Sequence, residues 1–125
     1  MKFTVIVHSS PLSHQGSSSA LNFCQAVLSA GHTIVRVFFY GQGVINADMK
    51  VSANDNLTQQ WLALTQRQPL DLVICSASAA QYGILNAAQA KQRQLKANIA
   101  LGFEISGLGQ MMAACIESDR AVTFH

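Results

Sequence analysis

The chain has 125 residues, of which 50% are hydrophobic and only 11% are charged, and its formal net charge is +2. This length predicts one domain over residues 1–125, and the small, dispersed positive charge without interleaved aromatic rings argues against direct nucleic-acid binding. No run approaches the roughly 20 apolar residues that span a bilayer. Because so few residues are charged, we expect partner chains to cover part of the surface.

Three cysteines, Cys24, Cys75 and Cys115, are present without a CxxC pair and without histidines at metal-ligand spacing. This pattern indicates neither a disulfide framework nor a zinc site. The first ten residues do not resemble a signal peptide, since their apolar run is short. A cytoplasmic protein with reduced thiols is therefore expected.

The first half of the chain alternates strands with a helix. Residues 3–7 are apolar and β-branched and predict an internal strand, and residues 8–18 predict a loop whose last serines cap the following helix. That helix spans 20–30 and stops at Gly31, which suits the residue just after a helix end. A second strand is expected over 34–39.

A long loop is predicted next, over residues 40–56, with its apolar residues packed on the sheet edge or on a neighbouring chain. Gly41 and Gly43 only weakly resemble a dinucleotide-binding fingerprint, because a third glycine is missing. Asn54 or Asn56 can cap the following helix, which runs to about residue 68 and places Trp61 in the core.

The second half continues the alternation. A buried strand over 72–74 leads into Cys75, a short helix to about residue 82 follows, and Asn86 can cap another helix reaching residue 95. A strand over 103–105, an apolar helix over 108–117 and a closing strand over 120–124 complete the chain. The apolar helix is expected to be buried on several sides or to lie in a subunit interface.

Cys75 is the main candidate for chemistry. It ends a buried strand, and the carboxyl ends of parallel strands are where α/β proteins gather reactive groups. The small residues Ser76, Ala77 and Ser78 are expected to leave the sulfur approachable, and their backbone N–H groups begin a helix that favours a thiolate. The alternative is that Cys75 is simply a small buried hydrophobic residue.

Other candidates have weaker patterns. Cys24 and Cys115 occupy apolar helix positions and are assigned to packing. His8, at the end of the first strand, is a candidate for proton transfer near Cys75, with an ordinary hydrogen-bonded loop residue as the alternative. Tyr40 and Asn46 are interpreted as loop anchors.

Four segments carry a family resemblance in the right order. FFYGQGVINA (38–47), Cys75 with its small-residue run, GFEISGLGQM (102–111) and SDRAVTF (118–124) together resemble the DsrE-like sulfur-relay proteins. The resemblance implies an α/β fold, a three-layer α/β/α sandwich with a largely parallel sheet of about five strands. It also implies that Cys75 carries sulfur as a persulfide, without a metal or an organic cofactor.

The resemblance further implies partners and a pathway. A TusA-type donor would pass sulfur to Cys75 and a TusE-type acceptor would receive it, for 2-thiouridine formation at tRNA wobble positions. TusB-like and TusC-like subunits would complete a hetero-hexamer. The alternatives are a sulfur carrier of dissimilatory sulfur metabolism, an assembly subunit with an inert cysteine, or a binder of a small cofactor such as flavin, which the first loop disfavours because it lacks phosphate-binding glycine spacing.

Overall fold

A computed structural model describes residues 1–12, 15–52 and 56–125. Its centre is a five-stranded sheet in the order β4-β3-β2-β1-β5, and every neighbouring pair of strands is parallel. The predicted α/β/α class is confirmed, and β1 is internal as predicted. The strands are β1 (Lys2–Val7), β2 (Thr33–Phe39), β3 (Asp71–Cys75), β4 (Phe103–Ser106) and β5 (Arg120–Phe124).

Six α-helices and one 3₁₀ helix, Gly41–Ala47, connect the described strands. The expected loop over 40–56 is wrong in part, because the 3₁₀ helix and a short α-helix occupy most of it. None of the described helices is long and apolar enough to cross a membrane. The α-helices are α1 (Gly16–Ser29), α2 (Met49–Ser52), α3 (Leu57–Arg67), α4 (Ser76–Gln81), α5 (Ala87–Gln92) and α6 (Leu108–Glu117).

Of the predictions about helix ends, two are wrong and two are confirmed. The first helix begins at Gly16 rather than at residue 20, and the Ser17 hydroxyl donates to the Ser9 carbonyl instead of capping it. Asn56 precedes α3 without a side-chain cap, whereas Asn54 lies outside the described residues. Asn86 caps α5 through a capping box, as predicted. Gly31 follows α1 with a φ of +84°, the left-handed conformation expected there.

One face of the sheet carries most of the hydrophobic core. α1, α3 and the 3₁₀ helix pack on this face, and Trp61 is fully buried against Phe39 with ring centroids 5.1 Å apart. The prediction that Trp61 lies in the core is confirmed. We call this side the α1 face. Its buried strand residues are Val5, Val7, Ile34, Val37, Phe39, Leu72, Ile74 and Phe103.

Asn46 fastens the 3₁₀ helix to this core. Its side-chain amide donates to the carbonyls of Ser9 (3.1 Å) and Gly43 (2.8 Å), and its side-chain oxygen accepts from the Trp61 indole at 3.2 Å. The backbone carbonyl of Asn46 also accepts from the Thr58 hydroxyl at 2.8 Å. Since Asn46 is fully buried, these bonds satisfy polar groups that water cannot reach. The interpretation of Asn46 as a loop anchor agrees with this network.

The opposite face of the sheet is covered by α6, and we call it the α6 face. α6 is held at two points, because the Thr4 hydroxyl donates to the Ala114 carbonyl at 3.0 Å and Arg36 donates to the Gln110 carbonyl at 3.0 Å. Ala114 is the one residue of α6 that is fully buried. Burial of α6 on several sides is therefore wrong for the single chain, and its apolar outer surface faces solvent.

Candidate active site at the carboxyl edge of the sheet

Cys75 is the last residue of β3 and immediately precedes α4. Its backbone is extended, with φ of −64° and ψ of 127°, and it pairs with Ser106 on the edge strand β4. The chain therefore changes from strand to helix directly after the thiol. Because the first N–H groups of a helix lack intrahelical acceptors, those of Ser76, Ala77 and Ser78 begin α4 next to the cysteine backbone.

Three neighbouring strand ends bring polar side chains to the same edge. Val7 pairs with Phe39 and Phe39 pairs with Ile74, so the residues that follow them, His8, Tyr40 and Cys75, succeed one another across the sheet. The His8 and Tyr40 rings are in contact, with centroids 5.0 Å apart. Cys75 is thus placed beside a row that begins with an imidazole and a phenol.

The Cys75 side chain lies on the α6 face and is almost fully covered. Cys75 is 1% exposed and packs with Phe38 and Val73, which are also buried, and Met111 of α6 packs against these three residues. The expectation that small residues after the cysteine leave the sulfur approachable is wrong for this chain. Those residues are small, but the neighbouring strands and α6 cover the thiol from another direction.

The three small residues after Cys75 have different surroundings. Ser76 and Ala77 are exposed, whereas Ser78 is buried and its hydroxyl accepts a hydrogen bond from the Gly41 backbone N–H at 2.9 Å. This bond joins α4 to the start of the 3₁₀ helix, at a glycine whose φ is +58°. The Ser78 side chain therefore holds α4 and the 3₁₀ helix together at the edge of the sheet.

His8 lies between two cavities. One, of about 410 Å³, is lined by His8, Ser9, Gln42 and His125. The other, of about 230 Å³, is lined by Ile6, His8, Tyr40, Leu108, Met111 and Thr123. Partial burial, and then the nearby charge of His125, lower the pKa of His8 below its usual value. Met111 lines the second cavity and also packs against the buried cluster that contains Cys75.

The other two cysteines differ from each other. Cys24 is fully buried in α1, and burial raises the pKa of its thiol to about 12, which makes it a poor nucleophile. Its assignment to packing is confirmed. Cys115 is only partly buried on α6, so packing describes it less well. Among the residues that the structure describes, no cluster of histidine, cysteine and acidic side chains could hold a metal ion.

Sequence reasoning missed two residues near Cys75 and did not place a third, Tyr40, beside it. Ser106 is its partner across the sheet and Met111 covers it, while Tyr40, interpreted as a loop anchor, lies beside it at the strand ends. Ser106 and Tyr40 are neighbours of Cys75 because of the register in which β3 pairs with β4 and β2. A local sequence pattern does not show which residues of distant strands are paired. The apolar periodicity of α6 gave no signal that Met111 faces the cysteine.

The fold and this edge define an α/β sandwich protein whose buried cysteine stands at a strand-to-helix junction. The crystal structure of the ychN protein from E. coli has the same fold, with a TM-score of 0.75 and 18% identity over 99% of this chain and 100% of that one. The sequence model of the DsrE/DsrF-like family matches residues 1–124 of this chain.

Curated relatives agree with this match over nearly the whole chain. Sulfurtransferase TusD of Enterobacter sp. (strain 638) is 41% identical over 99% of this chain and 100% of its own length. The TusD homolog of Aliivibrio fischeri is 39% identical over 98% and 97%, and the DsrE protein of Allochromatium vinosum is 39% identical over 99% and 98%. The chain belongs to the DsrE/DsrF-like family and is a sulfurtransferase.

Proposed function

We propose that Cys75 is the residue that carries sulfur, as a persulfide, between a TusA-like donor and a TusE-like acceptor. The observation that carries the proposal is the position of Cys75 at the carboxyl end of β3, directly before α4. Cys24 is a poor alternative because it lies in the core and its pKa is raised. Cys115 lies within α6 and does not end a strand.

The proposed transfer needs no change in overall oxidation state. The Cys75 thiolate attacks the outer sulfur of the donor persulfide, a new S–S bond forms, and the donor S–S bond breaks to release the donor thiolate. The acceptor thiolate then attacks the outer sulfur on Cys75 in the same way. We expect the backbone N–H groups of Ser76, Ala77 and Ser78, at the start of α4, to favour the anionic forms.

His8 is proposed as the group that takes up or returns a proton at this edge. Its lowered pKa keeps the imidazole neutral at neutral pH, so it can accept a proton from an incoming thiol. His8 also contacts Tyr40, which fixes the ring at the strand end next to the cavity.

We propose that this chain assembles in the cytoplasm into a hetero-hexamer with TusB-like and TusC-like subunits. An apolar row along α6 supports a protein partner, since Leu108, Met112 and Ile116 are 45%, 61% and 83% exposed and recur every fourth residue. Such rows are typical of surfaces that are covered in an assembly. The sulfur would serve 2-thiouridine formation in tRNA, and the chain itself is not expected to bind nucleic acid.

Intact-mass measurement after incubation with glutathione persulfide tests the carrier. The wild-type chain and Cys115→Ser should each gain one labile sulfur atom that dithiothreitol removes, whereas Cys75→Ser should gain none. A Cys75→Ser chain that still gains sulfur would contradict the assignment. Cys115→Ser is the matched control, because it removes a thiol from the same face of the sheet.

A second candidate function, sulfur handling in dissimilatory metabolism, is favoured by the similarity to the A. vinosum DsrE protein, which equals that to the A. fischeri TusD homolog. Expression in a bacterium lacking TusD separates the two. Restoration of 2-thiouridine in its tRNA, measured by nucleoside mass spectrometry, is expected from the wild type and not from Cys75→Ser. Sulfur loading without restoration would instead support the dissimilatory role.

A further inference from the structure

Met111 is the partly buried residue that packs against the cluster of Cys75, Phe38 and Val73. Phe38 and Val73 also pack with Cys75, but they are buried strand residues fixed by the hydrogen bonds of the sheet. Met111 lies on α6 and is only partly buried. It is therefore the member of this cluster that can move without breaking the sheet.

A persulfide on Cys75 does not fit the structure as it stands. The added sulfur atom is larger than a methylene group, and Cys75 is already 1% exposed among close-packed neighbours. Inserting atoms into a packed core without relaxation destabilises the fold. If Cys75 carries sulfur as proposed above, a neighbouring side chain has to give way.

The structure provides the space into which Met111 can move. Met111 itself lines the cavity of about 230 Å³ that His8 and Tyr40 also line, together with Leu108, one turn earlier on α6. Methionine has three rotatable side-chain bonds and adapts readily to irregular space. A rotamer change of Met111 can thus uncover the thiol while the backbone stays in place.

The backbone of α6 is held firmly just beyond this point. Thr4 fixes the Ala114 carbonyl and Arg36 fixes the Gln110 carbonyl, on either side of Met111 in sequence. Movement of the whole helix would break both hydrogen bonds. Movement of the Met111 side chain breaks neither, so it is the less costly way to open the site.

We infer that Met111 is a movable cover of Cys75, which occludes the thiol in the single chain and turns into the neighbouring cavity when Cys75 reacts. Met111 is a positioning residue, since it controls access and takes no part in bond making. This inference deepens the proposed carrier function and rests on it for its biological purpose. The cover itself is a property of the chain that does not depend on sulfur transfer.

The alkylation rates of the three cysteines test the cover in the full-length protein. Iodoacetamide labelling of Cys75, followed by peptide mass spectrometry, should be roughly tenfold faster in Met111→Ala, which corresponds to about 1.4 kcal/mol in the opening equilibrium. Met111→Val should give an intermediate rate and Met111→Leu a rate close to wild type, because leucine restores the lost volume. Met112→Ala, an exposed neighbour, should leave the rate unchanged.

Two readouts distinguish a cover from a general loss of structure. Cys24 should stay unlabelled in every variant, since only unfolding of the α1 face exposes it. The rate ratio between variant and wild type should be the same at several pH values, because a cover changes access and not the acidity of the thiol. Equal Cys75 rates across the series, or Cys24 labelling that rises together with Cys75 labelling, would overturn the inference.

The alkylation result and the sulfur-loading result can fail separately. Faster alkylation in Met111→Ala with no sulfur on Cys75 would retain the cover and reject the carrier function. Sulfur loading on Cys75 with an unchanged alkylation series would retain the carrier function and reject the cover.

Discussion

The two faces of the sheet are packed in different ways. On the α1 face, helices and the 3₁₀ helix bury a large apolar core, and the polar groups of Asn46 are paired within it. On the α6 face, the buried cluster consists of Phe38, Val73 and Cys75 under one methionine. The first face supplies stability, whereas the second keeps a thiol near the surface under a cover that can move. The main hydrophobic core and the proposed reactive thiol thus lie on opposite sides of the same strands.

The largest expected effect is on the α1 face. Trp61→Ala removes a fully buried indole and its hydrogen bond to Asn46, so the free energy of unfolding should fall by about 3–5 kcal/mol in urea titrations. Met112→Ala on the outside of α6 should change it by less than about 0.5 kcal/mol. Similar losses in the two variants would contradict the difference between the faces.

Substitution of Asn46 should lower the free energy of unfolding nearly as much, because its side chain makes hydrogen bonds inside the core. Asn46→Ala removes the hydrogen bonds to the Ser9 and Gly43 carbonyls and leaves the buried Trp61 indole N–H without its Asn46 acceptor, which should cost about 1–3 kcal/mol. Asn22→Ala, an exposed asparagine of α1, is the control for the same substitution. An Asn46→Ala chain as stable as that control would show that the network does not stabilise the fold.

On the α6 face, substitution should affect association and leave folding nearly unchanged. Ile116→Lys places a charge on a side chain that is 83% exposed, so the unfolding free energy of the single chain should change by less than about 0.5 kcal/mol. Co-purification with TusB-like and TusC-like subunits should be lost, whereas Leu101→Lys, at a 94% exposed position outside α6, should retain it. Retention of the complex by Ile116→Lys would place the interface elsewhere.

The smallest expected effect is the change in stability with pH that the protonation of His8 causes. Because the folded chain holds the pKa of His8 below the usual value near 6.5, the unfolded chain binds a proton more readily, and stability should decrease as the pH falls below about 6.5. His8→Gln should flatten this part of the pH profile. His125→Gln should raise the pKa of His8, measured by NMR, by removing the nearby positive charge. An unchanged His8 titration would exclude that charge as a cause.

Local sequence patterns predicted much of the fold. β-Branched runs located the strands, and α6 spans 108–117 as its apolar composition and the preceding glycine indicated. The position of Cys75 at a strand end also followed from its sequence. These features depend on residues that are adjacent in the sequence, so they can be predicted from a single sequence.

The features that were missed depend on tertiary packing. The 3₁₀ helix is held by Asn46, whose partners come from distant segments, so its residues resembled an ordinary loop. The cover over Cys75 depends on the angle at which α6 crosses the sheet, and the neighbouring Tyr40 depends on strand register. The periodicity of apolar residues in the sequence predicts neither the crossing angle of α6 nor the strand register.

The most direct test of the account compares the two faces within one sample of wild-type protein. After exposure to glutathione persulfide, peptide mass spectrometry should find the additional sulfur on the peptide that contains Cys75 and none on the peptide that contains Cys24. Sulfur on Cys24 or Cys115 with an unmodified Cys75 would contradict the assignment of the reactive thiol to the junction of β3 and α4.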